Sequence, residues 1–494
     1  MSQEISLMLR LAAAASMLAL GACTTVGPDF KRPEPPGGAA GASYAMAGDP
    51  TPTMAALSPE ARIAGPWWEG FGSPELNAAV RQALADSPTL AEATATLERA
   101  RAEAASVRGR QAPEADLNAA AKRQRFNIQA LGFGGIPNPT ANLFVIGTTV
   151  AYDFDLFGGR KRATEEAEAK AEAEARRADA AYLTLSGNVA LQAMRIASLR
   201  AEIAAVESVV ADDQQVLDMV RRAEQAGGEA PAAIATAEAQ HAEDEALLPP
   251  LRRDLNAARH QLALLVGKAP SEWTAPDFDL ERFKAPAAIP VSLPSNLVRN
   301  RPDILAAEAD LHAKTAAIGV ATAELYPDFF ISATLTQTAT NTSRLSRYAA
   351  SGWDIGPHLT APIFNGGRLR ADRRAAVADA QASLARYQQT VLSAFTQVSD
   401  VLAALGAGQE SIAALTRAAD AAQTSAKNAQ NAYRLGGGTL LQMTDAQRQY
   451  SRARRALVQA QGRQFEDLVQ LYAATAADWR PAASAAAAPA APTS

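Results

Sequence analysis

The chain carries one cysteine, Cys23, in 494 residues, so a disulfide within it is excluded. Its four histidines, His241, His260, His312 and His358, fall in no His-Glu-x-x-His or other ligand spacing, and each reads as a surface or packing residue. No Gly-x-x-x-x-Gly-Lys-Ser/Thr or Gly-x-Gly-x-x-Gly run occurs, and Leu435-Gly436-Gly437-Gly438 lacks the lysine that would make it a phosphate cradle, so its glycines read as a turn. Without a nucleotide site, energy for any transport has to come from a partner. No nucleophile, base and orienting group line up, which leaves no case for an enzyme, a cofactor or a metal centre. The net charge is −5, and acids follow the basic trio Arg160-Lys161-Arg162 at once, which argues against nucleic acid as a partner. Aromatic residues make up only 6% of a chain that is 48% hydrophobic. Much of the apolar content is alanine in helix-periodic runs, which suits a wall of closely packed helices better than a thick core.

What the chain does offer first is a stretch that reads as an export signal, residues 1–22: one arginine, Arg10, an apolar run from Leu11 to Leu20, then small residues. The run is too short for a bilayer core of ~30 Å, which takes about 20 apolar residues. It ends in Leu20-Gly21-Ala22-Cys23, which resembles a bacterial lipobox and makes Cys23 the expected lipidation site; the alternative is an ordinary signal with an incidental cysteine. Thr24 stands where an inner-membrane retention signal typically has Asp. Residues 23–62, rich in Pro, Gly and Ala, read as an extended tether lying on a surface, and the Ala/Pro-rich residues 480–494 as a disordered tail.

Between these ends the chain is written twice. Phe157-Gly158-Gly159-Arg160 and Phe364-Asn365-Gly366-Gly367-Arg368 each join a strand-like run to a very long helix-like run, with the corner glycines 158, 159, 366 and 367 as the hinge points. Ahead of the first corner Phe144, Ile146, Val150, Tyr152, Phe154 and Leu156 alternate with weaker residues, a period of two with one apolar face. Behind it the period becomes seven, through Tyr182, Val189, Ile196, Ile203, Val210 and Leu217. Val377, Leu384, Val391, Val398, Leu405 and Ile412 repeat the ladder behind the second corner. Glycine tips Gly227-Gly228 and Gly436-Gly437-Gly438 interrupt the long helices at the same offset of 209 residues, and fixed offsets mark duplication. The first repeat, 63–290, is expected to hold strands 114–125 and 143–157 and a helical hairpin 159–267. The second, 291–479, is expected to hold strands 328–339 and 353–364 and a hairpin 366–478.

Each of the four strands is long enough to cross a membrane when tilted. Four cannot close a barrel, and an open edge is not tolerated in lipid, so a membrane reading forces several chains to share one barrel. Two water-soluble hairpins packed on helices are the alternative. Asp153, Asp155, Ser332, Thr334, Thr336 and Thr338 would face water either way, and Arg123 and Arg125 are expected at or beyond the membrane boundary.

Val26-Gly27-Pro28-Asp29-Phe30-Lys31-Arg32-Pro33, Pro66-Trp67-Trp68, both strand pairs, both corners and both tips, in this order, resemble the outer membrane factors, the TolC-like channels, in their lipoprotein branch that includes OprM and NodT. The resemblance covers nearly the whole mature chain. It implies an α+β membrane protein: a homotrimer whose chains share a 12-stranded β-barrel in outer-membrane lipid, continued by a long α-helical barrel into the periplasm. The implied function is passive export as the exit duct of a tripartite, RND-type efflux system, with a periplasmic adaptor and an inner-membrane transporter as partners. Type I protein secretion is the alternative within that class, and a lipid-anchored coiled-coil spacer without a pore is the alternative outside it.

In that family the hairpin tips form the periplasmic mouth, meet the adaptor and are held shut by a tyrosine, arginine and aspartate network. The resemblance makes Gly227, Gly228, Tyr433 and Gly436 the expected adaptor contacts, with Tyr433, Gly436 and Asp445 at matching positions. Gly438, Gln442 and Ala233 stand where the network has its arginine and two aspartates, so that lock does not carry over. Asp445 with Arg434 or Arg448 is the expected closing pair. A plain surface pair, three residues apart on the return helix, is the alternative for Asp445 and Arg448.

Overall fold

A computed structural model describes residues 25–36, 44, 57–58, 66–127, 138–285, 289–290 and 294–475. Cys23, the signal, most of the tether and the tail lie outside them. Two compact units cut across the duplication, each taking a share of both halves. The first comprises the described parts of Met1–Pro33, Thr96–Ala175 and Ala306–Tyr387, and the second those of Glu34–Ala95, Arg176–Leu305 and Gln388–Ser494. Strands of the two halves pair with each other, and each long helix contributes its start to one unit and its remainder to the other.

The first unit holds one antiparallel sheet of β2 (Glu114–Arg125), β3 (Thr140–Asp153), β5 (Asp328–Ala339) and β6 (Ser351–Thr360), in the order β2-β3-β5-β6. The remaining pair, β1 (Leu57–Ser58) and β4 (Ile289–Pro290), is a two-residue parallel ladder. Registers such as Leu117↔Thr148, Ala119↔Ile146, Val150↔Ala333 and Leu335↔Trp353 collect the apolar side chains on one face. Asp116, Asn118, Ser332, Thr334, Thr336, Asp354 and His358 share the other face. The apolar face is bare, with Leu117 71% and Trp353 76% exposed, and β2 and β6 are edges with no partner among the described residues.

β2 and β5 coincide with their expected spans, but two strands are corrected. β3 runs 140–153 rather than 143–157, because Asp155 turns left-handed at φ 44° while its N–H donates to Asp153 Oδ1 at 3.0 Å. The expectation that Asp155 sits in a strand facing water therefore fails. β6 runs 351–360 rather than 353–364; Pro362, two residues on, has no N–H for a ladder.

The helices follow the heptads. α1 (Pro74–Asp86) is capped by Ser73, whose hydroxyl accepts from Leu76 N–H at 3.2 Å, and α2 (Pro88–Gly109) leads into β2. α3 (Gly159–Gln225) has 67 residues, ~100 Å at about 1.5 Å per residue. α4 (Pro231–Glu245) and α5 (Leu248–Val266) return from it, followed by α6 (Pro294–Asn300) and α7 (Pro302–Ala323). α8 (Arg368–Arg434) and α9 (Leu440–Thr475) form the second hairpin. Every residue of both heptad ladders is buried or half-buried. Two helical expectations are adjusted. α8 starts at 368 and not 366, because Gly366 and Gly367 are left-handed at φ 61° and 85°. The first return arm breaks at Ala246-Leu247, where Pro249 and Pro250 occupy the first turn of α5 and offer no N–H to the preceding turn. In the second unit Trp67 stacks on Tyr472 (5.6 Å between centroids) and both are buried, which pins residues 67–71 to the end of α9.

Candidate functional site

Three places gather the residues singled out by the sequence: the two corners and the hairpin tips. At the first corner the Asp155 carboxylate accepts from the N–H groups of Arg160 (3.0 Å) and Lys161 (2.8 Å), capping the start of α3 where unpaired donors and the helix dipole favour an anion. Gly158 is left-handed at φ 74°, and a Cβ there would lie 2.7 Å from Thr25 Cγ2 and 2.9 Å from its Cα, so only glycine admits the chain's N-terminal segment. Gly159 opens α3.

Residues 25–32 form a strap on this corner. Val26 N–H donates to Phe157 O at 3.0 Å. Arg162, its side chain only 4% exposed, donates to Val26 O, to Asp29 Oδ1 at 2.6 Å and to Glu165 Oε2 at 2.7 Å. Burial opposes the Arg162 charge, but the bonds to Asp29 and Glu165 outweigh it and hold the guanidinium above its ordinary range. The bond from Arg162 holds Asp29 below the usual carboxylate range. Phe30 stacks on His312 at 4.4 Å, His312 Nε2 lies 3.0 Å from Glu165 Oε1, and Arg32 pairs with Glu308 at 2.7 Å. The sequence marked Val26–Pro33 as a resemblance without supplying this job. Its legible signal was a polar Asp and Arg set among Pro and Gly.

The second corner has no such cover among the described residues. No atom lies within 4 Å of a Cβ built on Gly366 or Gly367, and Ile363 and Phe364 are 97% and 92% exposed.

The two tips are the same turn twice. Gly227 (φ 76°) and Gly436 (φ 74°) are left-handed; Gly228 N–H returns to Ala223 O at 2.8 Å and Gly437 N–H to Ala432 O at 2.9 Å, closing each helix with a Schellman motif. The return helices then differ. Ala230 precedes α4 with no side-chain cap, whereas Thr439 N–H donates to Gln442 Oε1 (3.0 Å) and Gln442 N–H to Thr439 Oγ1 (3.3 Å), a reciprocal capping box. Tyr433, Leu440 and Met443 pack on Val216, Leu217, Val220, Ala233 and Ala237, which joins the second tip to the first. Burial, reinforced by Glu229, pushes the Tyr433 phenol up to about 12. Leu435 and Leu441 remain 82% and 76% exposed. The signal in the sequence is an apolar residue beside a glycine turn, Leu435 before Gly436, with Leu441 just inside the return helix.

The expected closing pair does not form within the chain. Asp445 Oδ2 accepts from Gln449 at 2.9 Å, Arg434 donates to Asn431 Oδ1 at 3.0 Å, and Arg448 leaves its own helix to bond Gln240 and approach Glu243 at 3.6 Å. The i,i+3 surface pair of Asp445 and Arg448 is absent for the same reason. Arg448 serves a polar cluster that the sequence did not reveal, since its members come from three helices. Gln240 donates to Asp244 Oδ2 at 2.6 Å, and Asp213, 4% exposed, keeps Oδ2 buried without a hydrogen-bond partner. Burial first, then the neighbouring Asp244 and Asp212 carboxylates, push Asp213 up to about 8, with Arg448 pulling the other way.

A family profile described as outer membrane efflux protein matches residues 79–268 and 293–477, one stretch in each repeat. The chain is 29% identical over 420 residues to the pyoverdine export outer membrane protein OpmQ of Pseudomonas aeruginosa, covering 84% of this chain and 87% of that one. It is 29% identical over 471 residues to nodulation protein T of Rhizobium leguminosarum bv. viciae, covering 94% and 92%. The solved outer-membrane channel OprN superposes with a TM-score of 0.84 at 29% identity, over 92% of this chain and all of that one. With a duplicated strand-corner-hairpin plan, a sheet bare on its apolar face and a profile match over well more than half its length, this chain belongs to the outer membrane efflux protein family.

Proposed function

We propose that this chain is one of three copies that together make an outer-membrane exit duct for small molecules, closed in the membrane by 12 strands and served by a periplasmic adaptor and an inner-membrane transporter. The observation that carries this reading is the sheet. Four strands with a continuous apolar face and two unpaired edges are stable in lipid only when other copies complete the ring. The bare second corner, with Ile363 and Phe364 in solvent, is further apolar surface for a neighbouring copy to cover. Pyoverdine export by one relative supports a small-molecule cargo for this chain. Lipidation at Cys23 adds an anchor to the barrel.

The tips, with Gly227, Gly228, Tyr433 and Gly436 at the turns and Leu435 and Leu441 presented outward, are the proposed adaptor contact. Asp445, Arg434 and Arg448 are candidates for holding the mouth shut, and Arg448 bridges the two hairpins through Gln240.

Membrane extracts run without heating are expected to give a three-chain species that conducts in a planar bilayer. A monomer stably inserted in lipid, or a non-conducting trimer, overturns the reading. Arg448→Ala is expected to raise conductance, and Cys23→Ala to lose a metabolically incorporated fatty acid while still inserting.

A further inference from the structure

Apart from Asp354, which lies on the polar face opposite the apolar one, charge is sorted along the sheet. One end carries Glu114, Asp116, Asp153 and Asp328. From Leu117 to Tyr152, and from Phe329 to Trp353, the sequence has no acid at all, yet it has Lys122, Arg123, Arg125, Arg344 and Arg347. None of these five cations makes a salt bridge with another described residue. They belong to the end of the sheet opposite the long helices, which on the channel reading is the outer surface of the membrane.

The pleat divides them further. Leu117, Ala119, Ala121, Arg123 and Arg125 alternate onto one face of β2, the face shared with Ile146 and Phe144, while Lys122 lies on the other. Ten residues separate Ala115 from Arg125, about 33 Å along the strand, and a strand tilt of roughly 40° brings that to about 25 Å of height, the depth of an outer-membrane apolar band. The two arginines therefore sit on the lipid-facing side just where the apolar band ends. Asn142 and Thr140 stand opposite them on β3, offering polar side chains to the same spot. Strand order adds the other cations. With β2 and β6 the two edges of each sheet, closing the ring sets β6 of one copy beside β2 of the next. The loop entering β6, which holds Arg344, Arg347 and the 93% exposed Tyr348, then meets Arg123 and Arg125 of the neighbouring copy at each seam.

Four guanidinium groups without an acid, directly above an apolar strip, match an amphiphile whose head carries phosphate and whose chains are acyl. Arginine binds phosphate through paired N–H donors that a point charge cannot reproduce. We propose that each seam is a binding surface for phosphate-bearing glycolipid of the outer leaflet, held by Arg123 and Arg125 of one copy and Arg344 and Arg347 of the next. This inference rests on the trimeric channel reading.

The test is native mass spectrometry of the full-length, delipidated oligomer, titrated with a bisphosphorylated lipid A, its monophosphorylated form and zwitterionic phosphatidylethanolamine. The bisphosphorylated lipid is expected to bind up to one per seam, the monophosphorylated form more weakly and the zwitterionic lipid least. Arg123→Gln with Arg125→Gln is expected to weaken the first by about tenfold or more, as loss of charge-assisted bonds does, while Lys122→Gln on the opposite face leaves it unchanged. Equal binding of the zwitterionic lipid, undiminished binding by the double variant, or displacement by millimolar inorganic phosphate overturns the inference. The lipid comparison in the unsubstituted protein stands even where the double variant assembles poorly. Conductance of the same preparation separates the two readings: conducting trimers without lipid selectivity overturn this inference alone, and absence of a conducting trimer overturns the channel.

Discussion

The two corners descend from one duplicated element, yet the first is covered and the second is bare. At the first, Gly158 admits Thr25, Asp155 caps α3, and a buried Arg162 ties Val26 and Asp29 to the start of the helix. At the second, Gly366 and Gly367 face open space and two large apolar side chains stand in solvent. Residues 25–32 fill one of the two equivalent seats, and no described residue fills the other. Duplication supplied two matching surfaces, and the strap on one of them breaks their equivalence, leaving the other open among the described residues.

Substituting the equivalent glycines tests this asymmetry most sharply. Gly158→Val forces a Cβ into Thr25 as well as straining a left-handed backbone, so it is expected to abolish the trimer on unheated electrophoresis. Gly366→Ala meets no neighbour among the described residues, and the backbone term of about 1–2 kcal/mol is the cost expected before assembly. Equal loss of trimer in both would show that the corners are alike after all. Next in size, Arg162→Met removes the strap's buried anchor; trypsin cleavage after Lys31 is expected to quicken by about tenfold, the mark of a local opening. Unchanged cleavage would mean that Phe30 and Arg32 suffice to hold the strap.

The hairpin tips give two smaller contrasts. Folding raises Asp213 to about 8 from its ordinary 3.8, so the folded chain keeps a proton that the unfolded chain releases. The stability this lends is complete below pH 3.8 and is lost as pH rises through about 8. Asp213→Asn keeps the neutral form at every pH, and the melting temperature is expected to fall less between pH 5 and pH 9 than in the unsubstituted protein. Equal slopes would remove Asp213 from the account. Last, Thr439→Ala breaks the capping box of α9 and is expected to cost about 1 kcal/mol, seen as faster amide exchange in its first turn. α4, which never had a side-chain cap, is the internal control.

Much of this was legible because it is periodic. The heptad ladder, the period-two strands and the glycine tips are set by side-chain spacing, and β2 and β5 began and ended as read. What escaped was set by single side chains acting across sequence distance. Asp155 looked like a strand residue because its parity fits, and only its carboxylate's reach to Arg160 and Lys161 explains why the strand stops two residues earlier. Arg448 looked like a partner for Asp445 three residues away, but its side chain bonds Gln240, 208 residues earlier, on another helix. Gln442 looked like a lost aspartate and is a cap. Pro249-Pro250 mark the break at Ala246-Leu247, which has no counterpart in the second repeat, where α9 returns in one piece.

The sheet's two free edges and oily face have a consequence for how the protein is made. A newly exported copy carries both through water before it meets lipid or its fellows, in the state most prone to stray pairing and clumping. Completing the ring needs three such copies at one place, so scarcity lengthens the hazardous interval more steeply than in proportion. A copy that waits alone is therefore expected to be lost sooner than a one-chain barrel, which closes its own edges.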